Sequence, residues 1–272
     1  MGILILRSSG GSPPAQLEWV ENQPSYLPII DGLAGWAAET PAGSGRHVDP
    51  PSTSLVIVDR LTTSASDGSL ISAASGDQPA LYRGSLRYAV ERTFPRTILF
   101  ETSGMYDMQR TQLIDNSYCT IAFQTAPSPG FFIKNGNLQD RQASDVLLWH
   151  MQCYNGDESS TQAITDRRGF TFASGTATKP ARCVLAWCSL YWGSDGNIAA
   201  TQGGTDLTLY HCILAEGLAV PTHPEYPHSQ SAVWDSECDR VSMQRCLMIH
   251  SRSRNPLCRV LKFSMVNCVS YN

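Results

Sequence analysis

The chain has 272 residues, a formal net charge of -4, 42% hydrophobic and only 16% charged residues, with 21 glycines, 16 prolines and nine cysteines. So low a charged fraction excludes coiled coils, helical bundles and charge-driven disorder, and points to turn-rich β structure. The mild acidity gives no electrostatic reason to expect nucleic acid as a partner.

The first apolar run, MGILIL before Arg7, is too short for the core of a classical signal peptide. No stretch approaches the ~18 apolar residues of a membrane span. Residues 1–31 are read as an N-terminal extension and 32–272 as one domain. From Gly32 to Pro79 the chain reads as loops around one strand, Ser54 to Leu61. SLRYAVE then predicts a short helix with Ser85 as N-cap and Leu86, Ala89 and Val90 as its apolar face.

Beyond it, five segments with alternating apolar positions end at Cys153, Cys188, Cys212, Cys246 and Cys268. Alternation is the signature of strands with one buried face. Their spacing fits coils of a solenoid, some with an added loop, so equivalent side chains should form interior ladders. The cysteines are predicted to be one such ladder of buried thiols, because their number is odd and no CxxC pair occurs. These features predict an all-β, right-handed, single-stranded parallel β-helix with a short N-terminal capping helix. The last strand stops soon after Cys268, so the C-terminal coil is expected to be uncapped, which suggests a fragment or a subunit whose open edge is covered by a partner.

Several stretches resemble a known family. GSLRYAVERTFPRTILFETSG (Gly84 to Gly104), YCTIAFQTAPSPGFFI (Tyr118 to Ile133), CSLYWGSDGN (Cys188 to Asn197), ILAEGL (Ile213 to Leu218), HSQS (His228 to Ser231) and RNPLCR (Arg254 to Arg259) resemble, in order, the pectate lyase superfamily of parallel β-helix polysaccharide lyases. The resemblance implies β-elimination in an acidic, uronic-acid polysaccharide, with Ca²⁺ and cationic side chains neutralising the sugar carboxylate. It places Arg254 at the catalytic base and Arg259 at a substrate-binding or structural arginine.

Counting from the cysteines puts Asp157, Asp195, Glu216, Arg252 and Arg254 after the same strand of successive coils, along one edge. Asp157, Asp195 and Glu216 are the candidate calcium ligands. Arg252, Arg259, Gln230 and Trp192 are the candidate substrate contacts, Trp192 as a platform for a sugar ring. Each has a plainer reading: Arg254 as an ion-pair partner, Asp195 as a turn residue, Asp157 and Glu216 as solvated acids, and His228 and His250 as structural or exposed polar residues. The chain also departs from the family pattern. Ala186 and Trp187 stand where Asp-His is usual, Gly196 replaces an acid, and Gln230 replaces a lysine. These departures make the alternative a non-catalytic glycan-binding or structural β-helix, such as a phage tail spike or fibre component. The protein is expected outside the cell or on a virion surface, with a homotrimer or larger assembly covering the open coil.

Overall fold

The computed structural model describes residues 3–7, 16–20, 29–47, 52–61, 70–73, 81–158, 163–173, 177–220, 222–228 and 230–271. Of the predicted extension 1–31, only residues 29–31 and two antiparallel strands, Ile3–Arg7 and Gln16–Val20, fall among them. The rest of that segment lies outside the described residues.

Short alternating segments with turn residues between them cannot bury a face alone, and here they stack. Three parallel sheets wall a prism. The first sheet runs from Ser54–Val58 through Arg96–Phe100, Cys119–Ala122, Ser144–Trp149, Ala181–Ala186, Gly204–Tyr210 and Cys238–Gln244 to Phe263–Val266. The second runs from Gly104–Asp107 to Val269–Tyr271, and the third from Thr111–Ile114 to Leu257–Cys258. Each full coil gives one strand to each sheet and pairs in parallel with the coils on either side. The architecture is the right-handed parallel β-helix. No helix among the described residues is long and apolar enough to cross a membrane.

Inward residues form the core. Val146, Cys183, Leu207 and Val241 are in register, as are Leu148, Leu185, Leu209 and Met243, and all are fully buried. Near the first coils Phe100, Phe123, Phe131 and Tyr106 make an aromatic cluster, with Phe100 and Phe131 rings 4.6 Å apart.

One predicted detail is corrected. Cys188, Cys212, Cys246 and Cys268 share the corner between first and second sheets, but Cys153 does not; it lies in the strand Gln152–Tyr154, paired with Ile133 and Leu190. Met151 takes the ladder position, its carbonyl accepting from Ser189 N as Cys188 O accepts from Ile213 N. Alternation places both Met151 and Cys153 inward, so spacing alone cannot choose between them. The residue just before each ladder position turns the corner in the left-handed region: His150, Trp187, His211, Arg245 and Asn267 have φ between 50° and 59°. All nine thiols are free, seven of them buried.

The corner between third and first sheets is turned by Asp145, Arg182, Asp206 and Arg240, again at positive φ. Opposite charges on adjacent coils pair there, Arg182 with Asp145 at 2.6 Å and Arg240 with Asp206 at 2.5 Å. Each pair is worth at most ~1 kcal/mol if solvated. Their alternation nevertheless penalises slippage by one coil.

The helix spans Leu86–Val90, with Ser85 Oγ accepting from Tyr88 N and Leu86, Ala89 and Val90 buried. Its last carbonyls are satisfied by the fully buried Arg96, which donates to Ala89 O and Val90 O and also to Phe94 O and Asn116 O.

Residues 29–47 cover the outer face of the first sheet. Ile30, Leu33, Ala37 and Ala42 pack on Leu147, Val184, Ala186 and Tyr210. Ala37 N donates to Thr208 Oγ1 at 3.0 Å and Trp36 N to Ser242 Oγ at 3.2 Å. The approach is close enough at Gly35, φ 101°, that a Cβ would lie 2.3 Å from Ser242 Oγ.

Candidate functional site

The turns from second to third sheet differ from the other corners in length and content. In the later four coils they fall between Tyr154 and Arg168, Tyr191 and Gly196, Ala215 and Ala232, and Ile249 and Leu257, and their described residues include Asp157, Trp192, Asp195, Glu216, Gln230, Arg252 and Arg254 along one edge. Trp192, Glu216 and His250 each follow a second-sheet strand at positive φ, so they stack as a column. That stacking lets Trp192 Nε1 donate to Glu216 Oε2 at 2.7 Å, while the indole stays 40% exposed and packs 5.6 Å from the Tyr154 ring.

Beside Trp192 is an open concavity of about 360 Å³ lined also by Tyr154, Asp157, Glu158, Lys134 and Leu218. Its acids have cations among them. Lys134 Nζ binds Glu158 Oε2 at 2.6 Å, which lowers the Glu158 carboxyl and raises the Lys134 ammonium from their ordinary values. Arg167 donates to Glu158 O at 2.7 Å and feels the charges of Asp157 and Asp107.

Asp195 is 8% exposed. Oδ2 pairs with Arg168, while Oδ1 lies 3.0 Å from His228 Nε2 and 3.6 Å from His223 Nε2. Burial pushes its carboxyl up to about 6, against the pull of Arg168, His223 and Arg254. Burial also lowers the His228 imidazole, helped by the neighbouring His223, whose ring is 3.9 Å away. His228 Nδ1 faces Glu225 Oε2 at 3.2 Å and Gln230 Nε2 at 3.4 Å. The buried Gln230 thus packs under the histidines. Gly217 passes so close that a Cβ there would lie 2.6 Å from Gln230 O.

Arg254 sits half-buried at φ 58°, its carbonyl accepting from Ala232 N at 2.8 Å. Arg168 is committed to Asp195 and Arg252 to the Pro227 carbonyl at 2.9 Å. The Arg254 guanidinium has no hydrogen bond or ion pair among the described residues, yet its charge reaches both Asp195 and His228. Arg259 is elsewhere. It follows the third-sheet strand Leu257–Cys258, at the end away from Arg254, and pairs loosely with Asp235 at 3.7 Å.

The three carboxylates expected to hold calcium do not converge. Among the described residues, the one group of three His, Cys, Asp or Glu side chains with ligand atoms within 4.8 Å of one another is Asp195, His223 and His228. Calcium takes six to eight oxygens. One buried carboxylate with two imidazoles, and with Arg168 on its second oxygen, does not fit it. His223 escaped the sequence reading; the signal available was the close spacing of two histidines in the proline-bracketed stretch His223 to His228.

No family model matches the chain. Over 189 residues, 70% of its length, it is 25% identical to a probable pectate lyase C of Emericella nidulans, and over 191 residues 26% identical to that of Aspergillus terreus. The chain spans about 40% of the length of these curated relatives. Among solved structures, the cedar pollen allergen Jun a 1 superposes with a TM-score of 0.53 at 16% identity, covering 89% of this chain and 65% of that one. The chain is thus similar in sequence to probable pectate lyases, which supports the resemblance to the pectate lyase superfamily, and it shares its fold with Jun a 1.

Proposed function

We propose that the protein acts on an acidic, uronic-acid polysaccharide lying along the edge between second and third sheets, and cleaves it by β-elimination with Arg254 beside the reacting sugar. The observation that carries this reading is the uncommitted Arg254 guanidinium on an edge whose other cations are engaged. A guanidinium is a forked donor matched to a carboxylate.

In β-elimination a base removes the proton alpha to the uronate carboxylate. The electron pair forms a carbon–carbon double bond, and the glycosidic oxygen at the β position leaves. Charge gathering on the carboxylate must be met by cations. As the family resemblance implies, Arg254 takes the proton, while the exposed Arg252 supplies positive charge toward the carboxylate and water protonates the departing glycosidic oxygen. The exposed Trp192 indole supplies a platform for a neighbouring sugar and the exposed Arg252 flanks the bound chain, whereas Gln230, expected as a substrate contact, is buried under the histidines and does not reach it. Asp157, Asp195 and Glu216 do not gather into a calcium site, so no step is routed through Ca²⁺. Arg259, paired with Asp235, serves the coil rather than the sugar. Uronic polymers of walls and capsules place this action outside the cell.

The test is incubation with polygalacturonate and other uronic polymers, with and without calcium, following absorbance of the unsaturated product. Wild type produces it, and Arg254→Ala lowers the rate at least ~100-fold while keeping the circular dichroism of the parent.

A second reading, a non-catalytic glycan-binding β-helix of the spike or fibre kind, is favoured by the commitment of Asp195 to Arg168 and the histidines. It predicts glycan binding without unsaturated product, and side-by-side trimers in sedimentation.

A further inference from the structure

We infer that Asp195, His223 and His228 form a binding site for one divalent transition-metal ion of the zinc class. The ion would tie the connection between Ile213–Ala215 and Ala232–Trp234 to the preceding coil. The inference rests on this geometry alone and stands whether or not the protein cleaves a polysaccharide.

Three observations carry it. First, the distances fit. Ligands bound at about 2.0–2.1 Å in tetrahedral geometry lie roughly 3.3 Å apart, and Asp195 Oδ1 is 3.0 Å from His228 Nε2 and 3.6 Å from His223 Nε2. Second, both imidazoles are buried, 5% and 4% exposed, and both Nε2 atoms lack a hydrogen-bond partner. Neither nitrogen makes a well-formed hydrogen bond to Asp195 Oδ1, and an ion held by all three atoms would satisfy both. Third, Glu225 Oε2 stands 3.2 Å from His228 Nδ1, where a metal-bound histidine commonly donates to a carboxylate.

The surroundings select the class of ion. Arg168 holds the second oxygen of Asp195, and Arg254 adds positive charge nearby. Those charges weaken the site for any dication, and the donor set decides between ions: two imidazole nitrogens suit a borderline-soft ion, whereas a hard cation such as Ca²⁺ needs six or more oxygens that the site lacks. Binding has a local cost at each ring: with His228 Nδ1 protonated, the Gln230 amide, whose Nε2 lies 3.4 Å from that nitrogen, must turn its oxygen toward it. Glu225 N now donates to His223 Nδ1 at 3.1 Å, and Nδ1 must carry the proton once Nε2 binds the ion. Glu225 is exposed, so its amide turns to water.

The experiment uses tag-free protein, stripped with chelator and titrated with Zn²⁺ by calorimetry and with Co²⁺ by visible absorption. One equivalent should bind with the intense bands of four-coordinate Co²⁺, and excess Ca²⁺ should not displace it. His223→Ala and His228→Ala should each weaken binding about 100-fold or more, and Glu225→Gln about 10-fold, with unchanged circular dichroism. Asp195→Asn serves as the further variant if either histidine variant fails to fold. Absence of saturable uptake of both metals, or uptake that survives these substitutions, overturns the site.

Discussion

The corner between first and second sheets and the edge between second and third use the same backbone device to opposite ends. In both, a non-glycine residue enters the left-handed region as the chain leaves a strand: His150, Trp187, His211 and Arg245 at the corner, Trp192, Glu216 and His250 at the edge. At the corner the next residue always points inward, and Met151, Cys188, Cys212 and Cys246 stack as a buried column. At the edge the turn changes in length from coil to coil, and its side chains pair with one another rather than with the core. A solenoid is held by repetition within its walls. Where repetition is relaxed, buried polar groups such as Asp195 and His228 gather beside the uncommitted Arg254, and chemistry becomes available.

Three substitutions sharpen this contrast. The largest effect belongs to the repetitive interior. Phe131 is 1% exposed and packed against Phe100 and Tyr106, so Phe131→Ala should lose about 3–5 kcal/mol in urea unfolding. A loss below about 1 kcal/mol would mean that the stacked core is not what holds the coils.

Asp140 gives a smaller effect with a defined pH window. It is fully buried, accepts from Ala143 N at 2.9 Å, and lies 3.1 Å from Cys183 Sγ; burial pushes its carboxyl up to about 7. An unfolded aspartate titrates near 3.9. Between these values the folded state binds more protons than the unfolded one. Stability therefore falls as pH rises from about 4 to about 7, and the contribution is fully lost above that. Asp140→Asn should flatten that part of the profile, measured as urea midpoints across the window.

The smallest structural effect is expected at the edge. Trp192→Ala should change stability by no more than ~0.5 kcal/mol yet weaken uronate binding about 10-fold in calorimetry. The reverse pattern would assign the indole to the core.

Much of this was legible in the sequence because alternation reports burial directly. Strands around Val146, Cys183, Leu207 and Val241, the N-cap Ser85 with its apolar helix face, and the alignment of Asp157, Asp195, Glu216, Arg252 and Arg254 on one edge all follow from period and spacing. Other features depend on contacts between distant segments. The apolar outward residues Leu147, Val184 and Ala186 are explained only by residues 29–47 lying over them. The register of Cys153 turns on a left-handed residue at His150, which costs energy and has no local signal. His223 gains its meaning from Asp195, one coil away. Arg259 lies close to Arg254 in the chain, but the strand between them carries it to the far end of the third sheet.

The central claim is that a uronic-acid chain lies along the second-to-third-sheet edge at Arg254. Amide hydrogen exchange with and without saturating oligogalacturonate tests it most directly. Added protection is predicted in 192–195 and 250–256, absent in Arg254→Ala, with no change in 29–47 on the first sheet's outer face. Protection confined to 29–47, or none at the edge under saturation, would contradict it.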